Sequence, residues 1–221
     1  TYKMYNYYNH KSPDDHYVDV IRVLCAIRNQ ADTVSLVMPL LYASRQHKRD
    51  GRESLDCAIA LQEFIHQGVS NIITFDVHDS NVQNAIPRSS FDNFYPTNIL
   101  LEKFVTSENV SNDNLLAVSP DNGALKRTRF YANMLGCELG GHFEKQRDVY
   151  RVVDGKNPIL KHEYIGKDVA GKDIIIVDDM IASGESMIDV ARELKSRGAN
   201  QIFMMSAYSL FTKGTKVFEK A

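Results

Sequence analysis

Cysteine is scarce in this sequence. The 221 residues contain three, Cys25, Cys57 and Cys137. An odd count with no C-x-x-C pair fits reduced thiols and argues against a disulfide scaffold or a zinc site. Long apolar runs are also missing: none approaches the ~18–20 residues of a membrane helix. The opening Thr1-Tyr2-Lys3-Met4-Tyr5 has no apolar secretory core. Net charge is small, since 26 Lys+Arg against 28 Asp+Glu leave −2. Without a basic surplus there is no general attraction to nucleic acid, so any anion site must be built locally. These absences predict a cytoplasmic protein with neither a nucleic-acid nor a membrane partner.

What is present is ordinary globular material, 43% hydrophobic and 24% charged. The length allows one large domain or two small ones. Short β-branched runs at Thr33–Met38, Asn71–Phe75, Leu115–Val118, Asp173–Val177 and Gln201–Met205 read as strands buried in a parallel sheet. Helical patterns lie between them. Ser12-Pro13-Asp14-Asp15 is a helix start, with a Ser cap, Pro at the first position and acids in the first turn. Ser54–Gln67, Asn122–Leu135 and Glu185–Arg197 each stop at a glycine. Alternating strands and helices define an α/β fold.

One stretch echoes another. ALQEFIHQGVSNIITFD (Ala60–Asp76) and VARELKSRGANQIFMMSA (Val190–Ala207) both run helix, glycine, polar turn, buried strand. With the polar stretch SENVSNDN at Ser107–Asn114, the echo predicts two similar domains, 1–109 and 110–221. The first segment lacks an initiator methionine, is dense in Tyr and Asn, and reads as the interior of a longer protein.

Several segments carry chemistry. In IIIVDDMIASGES (Ile174–Ser186) a strand ends on Asp178 and Asp179 and a Ser/Gly loop leads into a helix. Such loops bind ligands at the carboxyl edge of α/β sheets, and the helix start is an anion cradle. Adjacent acids would repel a phosphate unless they bond hydroxyls or a cation, so a sugar phosphate satisfies both halves. FDVHDSNVQ (Phe75–Gln83) ends a strand on Asp76, His78 and Asp79, and alternation places Asp76 and His78 on one face. A carboxylate with an imidazole suits a divalent metal or a nucleotide phosphate, although a histidine after a strand is also a common structural residue. Arg45-Gln46-His47-Lys48-Arg49 is either a solvated basic loop or a nucleotide contact. Asp121, in Ser-Pro-Asp, is either a helix cap or a metal-directed carboxylate. FEKQRDVYR (Phe143–Arg151) is expected as a loop whose Lys145 and Arg147 could close on a phosphoryl transfer.

Taken together and in this order, these segments resemble the ribose-phosphate pyrophosphokinase (phosphoribosyl pyrophosphate synthetase) family, from about Ser12 to the end of the chain. The resemblance implies two tandem type I phosphoribosyltransferase-like domains, each a mainly parallel sheet flanked by helices, with the active site between them. It implies transfer of a diphosphoryl group from ATP to ribose 5-phosphate, with Mg2+, in a homo-oligomer built from dimers. Asp178 and Asp179 would hold the ribose 2- and 3-hydroxyls, and Ala182, Ser183, Gly184, Glu185 and Ser186 the 5-phosphate. Arg45, Gln46 and His78 would contact ATP. His78, Asp121 and Asp76 would serve the metal. Lys145 and Arg147, with His78, would act in catalysis. This chain departs from the family in places. Its phosphate loop lacks a carboxylate at Ala182 and carries Glu185 where a small residue is usual. The family's Arg-Gln-Asp is Arg45-Gln46-His47 here, and part of the first domain is expected to be missing. The alternatives are a phosphoribosyltransferase that consumes phosphoribosyl pyrophosphate and a non-catalytic regulatory relative.

Overall fold

The structure, a computed structural model, describes residues 10–49, 51–108, 110–147 and 159–219, with 145–147, 159–162 and Glu219 described by backbone alone. The chain forms two compact units, Thr1–Pro96 and Thr97–Ala221.

The first unit holds α1 (Pro13–Ile27), β1 (Ser35–Val37), α2 (Asp56–His66), β2 (Asn71–Phe75) and β3 (Ser90–Phe94). Its sheet is wholly parallel, in the order β1-β2-β3. The start of α1 is a complete capping box: the Asp15 N–H donates to Ser12 Oγ at 3.1 Å, and the Ser12 N–H to Asp15 Oδ2 at 2.8 Å. That satisfies donors which a helix start otherwise leaves open. Leu24, Leu61, Phe64 and Ile72 form the centre of this unit's core.

The second unit contains α3 (Thr97–Ser107), β4 (Leu115–Ser119), α4 (Leu125–Leu135), β5 (Glu138–Arg147), β6 (Ile159–Gly166), β7 (Asp173–Ile181), α5 (Glu185–Ser196), β8 (Ile202–Ser209) and α6 (Lys216–Glu219). The sheet order is β6-β5-β4-β7-β8, with β5–β6 antiparallel and the other pairs parallel. Leu116, Val118, Ile174 and Ile176 pack with Met187, Val190 and Leu194 of α5. The alternate residues Leu115, Ala117, Ile175 and Val177 pack with α3 and α4. The sheet is therefore covered on both faces, which is why its strands read as unbroken apolar runs. Each fully buried aliphatic side chain contributes about 1.5–3 kcal/mol.

The division after Pro96 falls earlier than the expected 109/110. The reason is α3, which buries Leu101 and Phe104 in the second unit's core. The sequence echo becomes a shared helix ending. After α2, Val69 and Gly68 donate to the Phe64 and Ile65 carbonyls at 3.1 and 3.0 Å; after α5, Ala199 and Gly198 donate to Leu194 and Lys195 at 3.1 and 2.9 Å. Both glycines, Gly68 and Gly198, have left-handed φ of 99° and 90°, as this cap requires.

Candidate functional site

In the second unit the candidate residues gather at the carboxyl ends of the neighbouring strands β4 and β7. β7 does not stop at Val177. It runs through both acids to Ile181, paired with β8 as far as Ser209. Asp178 is half-buried and Asp179 is 4% exposed. The Asp179 N–H donates to Asp178 Oδ1 at 2.9 Å. Burial, reinforced by a side-chain hydrogen bond and charge from Asp179 and opposed by that N–H, pushes the Asp178 carboxyl up to about 7. Asp121 adds to that push, so the acid after β4 lies within electrostatic reach of the acid in β7.

Beyond Ile181 the chain turns through Ala182, Ser183 and Gly184 into α5. Gly184 caps the helix with φ 88° and brings no side chain to the cap, while the Glu185 N–H donates to Ser183 Oγ at 3.5 Å. The first N–H groups of a helix are open donors at the positive end of its dipole, and here they stand beside two serines, Ser183 and Ser186. This loop-and-helix start can take a phosphate while Asp178 and Asp179 accept from hydroxyls. Asp121 has a turn-forming role of its own: its Oδ1 accepts from the Ala124 N–H at 3.0 Å, and its carbonyl from Ser119 Oγ at 2.7 Å.

In the first unit the loops after β1 and β2, neighbouring parallel strands, meet. His47 and His78 have ring centroids 5.2 Å apart, and His47 Nδ1 lies 3.7 Å from Asp79 Oδ2. Burial lowers the His47 imidazole's affinity for a proton, against the attraction of Asp79. Gln46 donates to the Ser54 carbonyl at 3.2 Å, and Arg45 is exposed on the same loop. The predicted shared face of Asp76 and His78 is not observed. β2 ends at Phe75, Asp76 turns at φ 40° and is 2% exposed, and His78 is exposed. Strand alternation cannot continue through a left-handed residue. The meeting of His47 with His78 is a product of the fold, and nothing in the local sequence signals it.

Lys145 and Arg147 are not on a loop in their backbone path. They lie in β5, with Lys145 opposite His162 and Arg147 opposite Ile159 of β6. Polar sequence suits such an antiparallel arm, one face of which can be solvated. Close approach is secured by glycine: a Cβ on Gly166 would fall 2.4 Å from the Gly140 carbonyl oxygen. The side chains of Lys145 and Arg147, and the rest of the 143–151 segment from residue 148, lie outside the described residues.

For Mg2+, Asp121 of the second unit supplies a hard oxygen donor, whereas His78 of the first unit is an exposed imidazole, a donor that suits softer divalent metals. Among the described residues no three His, Cys, Asp or Glu side chains form a ready metal cluster. A Mg2+ site needs none, because this ion keeps several waters and takes one or two protein groups together with substrate phosphates. The carboxylate of Asp121 fits such a site.

Sequence reading missed Asp173. It is buried at the start of β7, where its Oδ1 accepts from Asn200 Nδ2 at 2.7 Å and the Gln201 N–H at 3.2 Å. These bonds tie β7 to the chain entering β8 and so hold the acid-bearing strand in register.

A mainly parallel sheet, with a strand–loop–helix turn at its carboxyl edge, is the frame of an α/β nucleotide- or sugar-phosphate-binding domain. The phosphoribosyl transferase domain model matches residues 100–220, nearly the whole second unit, and the chain belongs to that family. Over most of its length it is similar to ribose-phosphate pyrophosphokinases. It is 28% identical over 203 residues to the Synechococcus elongatus enzyme, covering 90% of this chain and 57% of that protein. It is 30% identical over 206 residues to the Ralstonia nicotianae enzyme, covering 91% and 61%. The chain thus spans about three-fifths of these relatives' length. Its fold matches the crystal structure of phosphoribosylpyrophosphate synthetase from Mycobacterium smegmatis, with TM-score 0.76 at 21% identity, covering 89% of this chain and 61% of that one. Among the described residues, no helix is long and apolar enough to cross a membrane.

Proposed function

We propose that this chain transfers the diphosphoryl group of ATP to the 1-hydroxyl of ribose 5-phosphate, giving phosphoribosyl pyrophosphate and AMP. The observation that carries the reading is the β7–α5 edge: two acids in the strand, then a short loop into a serine-flanked helix start, beside the Asp121 turn. Hydroxyl-binding and phosphate-binding chemistry there occur in the order a sugar phosphate demands. Asp178 and Asp179 accept from the ribose 2- and 3-hydroxyls, and Ala182–Ser186 take the 5-phosphate. The sugar O1 attacks the β-phosphorus, the bond from that phosphorus to the αβ-bridging oxygen breaks, and AMP leaves with that oxygen. The hydroxyl proton passes to water.

Arg45, Gln46 and His78 contact ATP in this reading, and Lys145 and Arg147 stabilise the charge on the transferring group. Asp121 is the group proposed to hold Mg2+, which when bound offsets phosphate charge. No covalent enzyme intermediate is required, since positioning and electrostatics account for the chemistry. The relatives' names support the ATP-dependent reaction. The match of the family model to residues 100–220 also suits a second reading, in which the second unit transfers a phosphoribosyl group to a base. Formation of AMP that requires both ATP and ribose 5-phosphate separates the two: the first reading predicts it, and its absence beside base-dependent consumption of phosphoribosyl pyrophosphate would favour the second. A homo-oligomer built from dimers and a cytoplasmic setting complete the proposal.

A further inference from the structure

The phosphate loop carries an acid of its own, and the chain's last described segment reaches over it. Glu185 begins α5, where an acid complements the helix dipole. At this position it also stands where an incoming phosphate dianion would be repelled. Its Oε2 is 3.4 Å from Ser183 Oγ, and its Oε1 is paired with Lys213 Nζ.

Lys213 is placed there by backbone. Thr212 donates to the Ala182 carbonyl at 2.9 Å and Leu210 to Ile181 at 2.9 Å, and the turn closes with Gly214 donating to Phe211 at 2.7 Å. Phe218 of α6 then covers Gly184, where an added Cβ would lie 2.3 Å from the ring. Phe211 and Phe218 meet edge to face at 5.4 Å. The segment from 210 to 218 is thus laid along the loop, with a flexible ammonium at its mouth.

The Glu185–Lys213 pair is open to solvent, with side chains 59% and 55% exposed. Such a pair contributes little stability, so it can exchange partners at small cost. We infer that Lys213 binds the sugar phosphate: its ammonium leaves Glu185 for the 5-phosphate when ligand enters, and Glu185 is a tethered competitor that lowers affinity. This rests on the reading that Ala182–Ser186 take the 5-phosphate. It makes residues 210–218 part of the sugar-phosphate site and assigns opposite effects to two partners of one ion pair.

The test is calorimetric titration of ribose 5-phosphate into the full chain and into Lys213→Gln, Glu185→Gln and the double variant, with unliganded urea midpoints as a folding control. Glu185→Gln should bind several-fold more tightly. Lys213→Gln should weaken binding about 10- to 100-fold, the loss of a charge-assisted bond. The double variant should remain at least about tenfold weaker than Glu185→Gln, because Lys213 touches the phosphate itself. A double variant equal to Glu185→Gln would overturn the inference, leaving Lys213 as a mere counter-ion to Glu185. The underlying reading is tested separately with Ser183→Ala/Ser186→Ala and by competition with inorganic phosphate. If neither affects binding, the loop is not the phosphate site and the inference falls with it. If both do while Lys213 has no effect in the Glu185→Gln background, only the inference falls.

Discussion

The Asp179 backbone N–H donates to the carboxylate of Asp178 at 2.9 Å, which ties the two acids of β7 together inside the strand. Burial and the Asp179 carboxyl hold the Asp178 proton to about pH 7 against 3.8 for an ordinary aspartate, although the Asp179 N–H itself opposes the shift. The sign follows from linkage. Between about pH 4 and pH 7 the folded protein keeps a proton that the unfolded chain has lost, so stability falls as pH rises through that window and then levels. Asp178→Asn should remove the fall, which is on the order of a few kcal/mol. Urea midpoints at pH 5 and pH 8 measure it: the wild-type midpoint drops between them and the variant's changes less. Equal changes would contradict the burial of Asp178.

Gly184 combines a left-handed φ of 88° with Phe218 packed against its Cα. Gly184→Ala should therefore cost about 1–3 kcal/mol in backbone strain and displace α6. The expected result is a lower urea midpoint together with weaker ribose 5-phosphate binding. An alanine variant with unchanged midpoint and affinity would show that the segment from 210 to 218 does not lie on the loop.

The thiols should differ sharply in reactivity. Cys25 is exposed and Cys57 is buried, and burial pushes the Cys57 thiol up to about 12. Its thiolate at neutral pH is then depleted roughly a thousandfold relative to a free cysteine. Titration with a chromogenic disulfide should label Cys25 in the folded protein and Cys57 only in denaturant. Rapid labelling of Cys57 without denaturant would contradict the packing of α2.

Much of this architecture is legible in the sequence, for identifiable reasons. α1 announces itself through Ser12-Pro13-Asp14-Asp15, because a cap is chemistry local to four residues. β2 has the bounds its apolar run suggests. β7 is read short because Asp178 and Asp179 look like a strand's end, whereas pairing with β8 carries the backbone on to Ile181. β3 escapes notice: Ser90–Phe94 is polar and alternates exposed with half-buried positions, and only its pairing with β2 makes it a strand. The polar arm at Lys145 and Arg147 reads as a loop for the same reason, since β6 supplies its hydrogen bonds from beyond residue 158. At the candidate site, the acids and the Ala182–Ser186 loop are visible because strand, turn and helix are contiguous. The approach of Lys213 to Glu185, and of His47 to His78, depends on tertiary folding and leaves no local trace.

Lys145→Ala should lower turnover by orders of magnitude, roughly 10²–10³-fold as for loss of one transition-state donor, while leaving ribose 5-phosphate affinity nearly unchanged. Steady-state rates paired with calorimetric affinity check this. Unchanged turnover would remove Lys145 from the transfer step.

In the proposed reaction the two terminal phosphoryl groups of ATP move together to the sugar. Incubation of the chain with Mg2+, ribose 5-phosphate and ATP labelled at the γ-phosphorus tests it most directly. The label should appear in the diphosphate of phosphoribosyl pyrophosphate, with unlabelled AMP formed in equal amount. Label released as orthophosphate with ADP, or left in ATP while the same chain consumes phosphoribosyl pyrophosphate and a base, would contradict it.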